Sequence, residues 1–156
     1  MANDRDKMEI LLIELKDQND WQRHNENQRA QLVSILLAIS AALVTLIPKD
    51  RPLTNNDWPI PAFLIGIGVF GILAVMKYWE RFVYHVRRED SLRKELDAYF
   101  PNNLLTKLRM DTLKEHNKGW LPLFKDRYLM QHWLWEGVFA LITVLGIYFL
   151  IIVLLS

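Results

Sequence analysis

An arginine separated by four to six residues from a following histidine can serve RNA cleavage. The imidazole helps transfer the proton of a 2'-hydroxyl while the guanidinium stabilises charge developing at the phosphate. Arg109 with His116 and Arg127 with His132 have that spacing. With ten arginines and four histidines in 156 residues, chance alone gives about 0.8 such pairs, so the motif by itself is weak. His132 opens an apolar run, a poor place to meet RNA, which leaves Arg109 and His116 as the candidate catalytic pair. His132 and Glu136 stand at i and i+4, the spacing of helical neighbours, and Glu136 is the one acid of that run.

"GIGVFG", Gly66 to Gly71, matches G-x-G-x-x-G in letters. That pattern cradles a pyrophosphate only in a strand-to-helix turn, and here it lies inside hydrocarbon with no strand before it. Gly66, Gly68 and Gly71 therefore read as helix-packing positions. The chain has no cysteine, which excludes disulfides and thiolate metal sites. No run of acids and histidines has metal-ligand spacing and no nucleophile elbow occurs, so no enzyme activity, metal or cofactor is expected.

Charge and hydrocarbon are segregated along the chain, 51% hydrophobic residues beside 24% charged ones at a net charge of +1, and segregation of that kind is a membrane pattern. Three apolar blocks stand out, Leu32 to Ile47, Ile60 to Met76 and Trp133 to Leu155. A hydrocarbon core of about 30 Å needs roughly 17 to 25 helical residues, so the third spans comfortably and the first two lie near the short limit. The first also fits a short buried helix, because its length corresponds to only about 24 Å. The opening "MANDRDKMEI" reads as cytoplasmic sequence and not as a signal peptide.

Pro48 to Pro59 carries two basic residues, Lys49 and Arg51, whereas residues 77 to 131 carry twelve and the first thirty carry five. The positive-inside rule then puts both larger segments in the cytoplasm. The expected fold is all-α, an integral membrane helical bundle with three transmembrane helices and long cytoplasmic helical extensions. Its parts are a cytoplasmic N-terminal helix at 1–30, spans at 31–48, 60–78 and 132–156, a short extracytoplasmic loop at 49–59, and a cytoplasmic helical region at 79–131. Trp58, Trp79, Trp133 and Trp135 bracket the spans as interfacial aromatics do. Glu136, only about 7 Å of helix from Gln131, belongs to the same interface; deeper burial of an acid would point to function.

Between Asp4 and Ile47 there is no proline or glycine, so one helix is expected to run from the cytoplasm through the first span. Met8, Leu11, Leu12 and Leu15 give it an apolar stripe. Phe82, Val86, Leu92, Leu96 and Phe100 continue the second span's helix until Pro101, and a further helix fits Asn102 to Asn117, with Gly119 as its stop. Residues 1–30 hold five basic and seven acidic groups and residues 77–131 hold twelve and eight. The opposite signs favour packing between these segments. In the loop "KGWLPLFKD", Trp120, Leu121, Leu123 and Phe124 are expected to tuck against the helices or lie on headgroups.

Ser34, Ala38, Ala41 and Thr45 give the first span a small, slightly polar face suited to tight packing or to the wall of a path in an oligomer. Asn25, Gln28, Arg29 and Gln31 would form the mouth of that path, where amides and a guanidinium can bond across subunits.

The segment "ELKDQNDWQRHNENQRAQLVSILLAISAAL", Glu14 to Leu43, runs from amides into hydrocarbon, and a second span and long cytoplasmic helices follow it. In this the chain resembles small bacterial membrane proteins encoded with phage-defence systems, notably SLATT-type two-span effectors and the membrane accessory proteins of CRISPR and RADAR systems. A third span is added to the two-span pattern here. The resemblance implies a homo-oligomer of the cell inner membrane that perturbs or permeabilises the bilayer once a cytoplasmic defence complex detects infection. Some relatives contain a degenerate R-x(4-6)-H element, which gives Arg109 and His116 a place. The partners expected are the lipid bilayer, further copies of the chain and a cytoplasmic defence complex, without direct nucleic acid. The alternatives are a membrane scaffold or regulatory subunit that recruits a soluble defence enzyme, and a membrane-tethered RNase.

Overall fold

The computed structural model describes residues 3–48, 52–117 and 127–156. In chain order the elements are α1 (Asp4–Thr45), a 3-10 turn (Asn55–Asp57), α2 (Pro59–Asp97), a second 3-10 turn (Pro101–Asn103), α3 (Leu104–Asn117) and α4 (Arg127–Leu155). No strand occurs among the described residues, so the chain is all-helical there. Three of the helices, α1, α2 and α4, are long and apolar enough to cross a membrane. The expected loop containing Trp120, Leu121, Leu123 and Phe124 lies outside the described residues.

Local chemistry accounts for the helix ends. At the start of α1 the Asp6 carboxylate accepts a hydrogen bond from the Asn3 amide at 3.2 Å, and Asp4 and Asp6 put negative charge on the positive end of the helix dipole. The last turn tightens, with Leu46 and Ile47 donating to the carbonyls three residues back and Thr45 Oγ1 donating to the Ala42 carbonyl at 2.6 Å. Orphan carbonyls are thereby satisfied, and Pro48 follows. Before α2, Asp57 accepts from both the amide and the hydroxyl of Thr54 at 2.8 and 2.9 Å. Pro59 and Pro61 then occupy the first helical turn, where a missing N–H costs nothing.

At 42 and 39 residues, α1 and α2 rise about 63 and 58 Å, roughly twice a hydrocarbon core. Each therefore contributes to both of the compact units into which the chain divides: Met1–Glu26 with Glu80–Arg127, and Asn27–Trp79 with Tyr128–Ser156. The helix runs unbroken past Asp90 and Ser91, where Ser91 Oγ donates to the Arg87 carbonyl at 3.1 Å. The start of α4 lies at Arg127, five residues before the 132 expected for the third span.

The second unit is a helix bundle with an apolar centre. Val33 and Leu36 of α1, Val75 of α2 and Phe139 of α4 form the buried cluster, with Ile67, Ile72, Trp135 and Ile142 packed against it. On α2 the buried positions Leu64, Gly68, Gly71 and Val75 recur at spacings of four, three and four, one side of a helix. Two of the three glycines expected at helix contacts sit there. A Cβ on Gly68 would lie 2.8 Å from the Thr143 amide nitrogen and 2.9 Å from the Phe139 carbonyl oxygen, and one on Gly71 would meet the Phe139 ring. Gly146 of α4 is equally close to Ile65 and Pro61. Gly66 differs, with open space where its side chain would be. It lines an outward groove of about 420 Å³ with Trp58, Ala62, Phe63 and Phe70.

The first unit has a different interior. Phe82 and Leu96 are buried there, and so are Gln18, Asn25 and Asp97. Asp97 ends α2 and caps α3 across the intervening turn. Its Oδ1 accepts from the Leu105 amide at 2.7 Å, and its Oδ2 accepts from the Thr106 amide at 2.8 Å and from the Thr106 hydroxyl. Asn102 and Asn103 carry the chain round that turn at φ 61° and 49°, a left-handed conformation that asparagine tolerates better than most residues. Burial alone would raise the Asp97 pKa, but the Thr106 hydroxyl and the Leu105 and Thr106 amides outweigh it and hold the carboxyl below its ordinary value.

A folded-state value below the unfolded one means that the cap's stabilisation is complete above about pH 4 and lost as pH falls through the lower folded value. Asp97→Ala is expected to speed amide exchange selectively in Leu104 to Leu108 at neutral pH, and acidification below pH 4 should do the same to the unaltered protein. Equal exchange in both proteins at neutral pH would remove the capping role.

Candidate functional site

The amide-rich part of α1 was expected to face other subunits, and the structure divides it. Gln18, Asn25 and Arg29 are buried, whereas Asn27, Gln31, Ser34, Ala38, Ala41 and Thr45 are exposed, with Gln28 between. Of the residues expected on that face, Asn25 and Arg29 are buried within the chain. The reason is periodicity: Gln18, Gln22, Asn25 and Arg29 recur at four, three and four residues and continue the side of the helix that carries Val33, Leu36 and Ser40.

In the first unit this inward side makes a polar seam. His85 Nδ1 and Gln18 Oε1 are 2.8 Å apart, which fits an Nδ1–H donating to the amide oxygen. The Trp21 ring lies parallel to His85 at 6.2 Å, and Tyr84 meets the same imidazole edge-on at 5.3 Å. Burial, then Arg88 and Arg81, push the His85 pKa below its ordinary value. Each of the three effects disfavours the imidazolium. Gln22 Nε2 donates to Glu89 at 2.7 Å, and Glu89 in turn takes Arg93 at 2.6 Å. Arg88 pairs with Glu14 at 3.2 Å. Packing between the segments of opposite net charge thus has an ion pair across it, Arg88 with Glu14, and a partly exposed pair of that kind contributes modestly.

Of the candidate catalytic pair, Arg109 on α3 forms an ion pair with Asp90 of α2. His116 lies seven residues further along α3, about 10.5 Å along the axis, and its side chain is outside the described residues. In the second unit the helical neighbours His132 and Glu136 do meet, Nε2 to Oε1 at 3.0 Å. His132 stacks on Trp79 at 4.8 Å, and its Nδ1 is buried with no hydrogen-bond partner among the described residues. Glu136 is half-buried against its own chain. Trp58 and Trp133 are exposed, whereas Trp79 and Trp135 are half-buried.

What the outward side of α1 offers is shape and not reactivity. In the second unit it presents Ser34, Ala38, Ala41 and Thr45, at spacings of four, three and four. In the first unit Ile10, Ile13, Asp17, Asp20 and His24 recur at three and four residues, all exposed. Asp17, Asp20, Trp21 and His24 line an open cavity of about 310 Å³. No group of three or more metal-ligating side chains occurs among the described residues.

Residue type alone does not single out His85, Gln18 or Asp97. The four-three-four recurrence through Leu11, Leu15, Gln18, Gln22 and Asn25 was the available signal for the seam. Fold and site together define an all-helical chain with three helices able to span a bilayer and a polar interhelical seam. No family model, curated protein or solved structure matches it.

Proposed function

We propose that the chain acts as a homo-oligomer in the bacterial inner membrane, with its N-terminus in the cytoplasm, and perturbs or permeabilises the bilayer in phage defence. The observation that carries this is the exposure of Ser34, Ala38, Ala41 and Thr45. The apolar side of α1, with Val33 and Leu36, is used inside the chain's own bundle, and a small, weakly polar face is left outside. In a bilayer such a face gains little from lipid and much from close approach of another helix. Around a symmetry axis its hydroxyls would line a path. The defence role comes from the resemblance of Glu14 to Leu43, and with it a cytoplasmic defence complex as the trigger.

The exposed outward side of α1 in the first unit, with its cavity at Trp21, also supports the scaffold reading, in which the chain only recruits a soluble enzyme. The RNase reading has less support, because the Arg109 guanidinium is engaged by Asp90. Expression in cells carrying a potential-sensitive dye, with and without phage, tests the leading reading. Depolarisation on challenge is expected, and an unchanged potential with the protein confirmed in the membrane would sink it.

A further inference from the structure

Within the first unit two exposed helix sides carry opposite charge. On α1, Asp17 and Asp20 are exposed beside Trp21, which is 54% exposed, with Ile10 and Ile13 one to two turns earlier at 58% and 55%. On α2, Tyr84, Arg87, Ser91 and Lys94 recur at three, four and three residues, and all four are exposed. None of Asp17, Asp20, Arg87 and Lys94 is held in an ion pair among the described residues. Both sides follow the three-four spacing with which helices pack on one another.

We infer that the acidic side of α1, centred on the cavity lined by Asp17, Asp20, Trp21 and His24, docks the basic side of α2 from a second copy of this chain. Two carboxylates beside an indole face form a receptor for a guanidinium or ammonium group, through charge-assisted bonds and a cation–π contact. Arg87 fits that description, because its planar fork suits both partners. Lys94, two turns further on, has the same sign. A second copy is the occupant because the chain carries both halves: α1 contributes seven acids and four bases over residues 4–26, and residues 80–127 contribute eleven bases and eight acids.

The two sides differ, so the contact is head-to-tail. Contacts of that kind generate rings when the rotation closes, whereas an acidic side set against its own copy would repel. This rests on the reading of the chain as a homo-oligomer and gives that oligomer a contact outside the apolar helix segments.

Cross-linking of the purified full chain in detergent tests it. Asp17→Arg with Asp20→Arg places like charge against Arg87, and Arg87→Glu with Lys94→Glu does the same from the other side. Each double variant alone is expected to give at least about tenfold less cross-linked product than the unaltered chain. Mixing the two, differently tagged, should restore the product and co-purify both tags, because the reversed charges again meet opposites. Unchanged cross-linking in either variant, or failure of the mixture to recover, overturns the docking proposal. Should a variant fail to fold, the salt dependence of the unaltered chain decides: raising salt to about 1 M shortens the screening length to about 3 Å and should lower the yield, and an indifferent yield overturns the proposal equally. An unaltered chain that is monomeric under every condition removes the homo-oligomer itself, a result distinct from an oligomer insensitive to charge reversal.

Discussion

Leucine at Gly68 or at Gly71 is expected to lower the stability of the second unit by about 3 kcal/mol, the upper part of the range for overpacking a filled interface. At Gly68 the obstacles are the Thr143 hydroxyl and two backbone atoms, the Thr143 nitrogen and the Phe139 carbonyl oxygen, and the backbone pair cannot move without shifting α4. The same carbonyl also accepts the Thr143 hydroxyl at 2.9 Å, so the local backbone is held on both sides. At Gly71 the obstacle is the ring of Phe139, which is fully buried at 0% exposure and has no free space to turn into. Gly66→Leu is the control. Nothing lies within 4 Å of its missing side chain, and leucine is the better helix former by roughly 0.8 kcal/mol. Reversible unfolding in mixed detergent micelles, followed by circular dichroism, should separate the first two variants from the third. Three indistinguishable curves would mean that α4 is not held to α2 by close approach.

Those glycines show how much of the fold was legible in the sequence. "GIGVFG" announces helix packing as a string, but two residues along a helix is a rotation of about 200°, so Gly66 and Gly68 cannot face the same neighbour. The longer pattern Leu64, Gly68, Gly71, Val75 names the packed side, because it extends the spacing into residues whose burial is plain. The helices themselves were readable for simple reasons: no proline or glycine interrupts Asp4 to Ile47, and apolar runs mark all three segments able to span a membrane.

The polar seam was harder to see. Its members on α1 are amides, and hydropathy assigns amides to solvent, yet Gln18, Gln22 and Asn25 hold the register of Leu11, Leu15, Val33 and Leu36. Register outweighed polarity there, because a buried amide is tolerated once it has a hydrogen-bond partner such as His85. Asp97 was beyond sequence reasoning altogether. The amides it caps lie eight and nine residues further on, and only the two left-handed asparagines bring them back to it.

If the chain is the homo-oligomer proposed above, the same register separates assembly from folding on α1. Leucine at Ser34, Ala38, Ala41 and Thr45 together should leave the fold of the isolated chain intact, since all four side chains are exposed and leucine suits both a helix and hydrocarbon. Thr45 gives up its bond to the Ala42 carbonyl, in the last turn of the helix where the loss is smallest. What the variant cannot do is bring a second backbone close, because four branched side chains now stand on the contact. At about 2 kcal/mol per lost helix contact, assembly should fall more than tenfold, and depolarisation after phage challenge should fall with it. A scaffold that only recruits a soluble enzyme would behave differently: its work lies on the outward side of α1 near Trp21, which the substitutions do not touch. Depolarisation at the wild-type level in the fourfold leucine variant would therefore remove the small face from the mechanism. Its loss, with helicity and membrane insertion unchanged, would assign the face to assembly, because all four side chains are exposed in the described bundle.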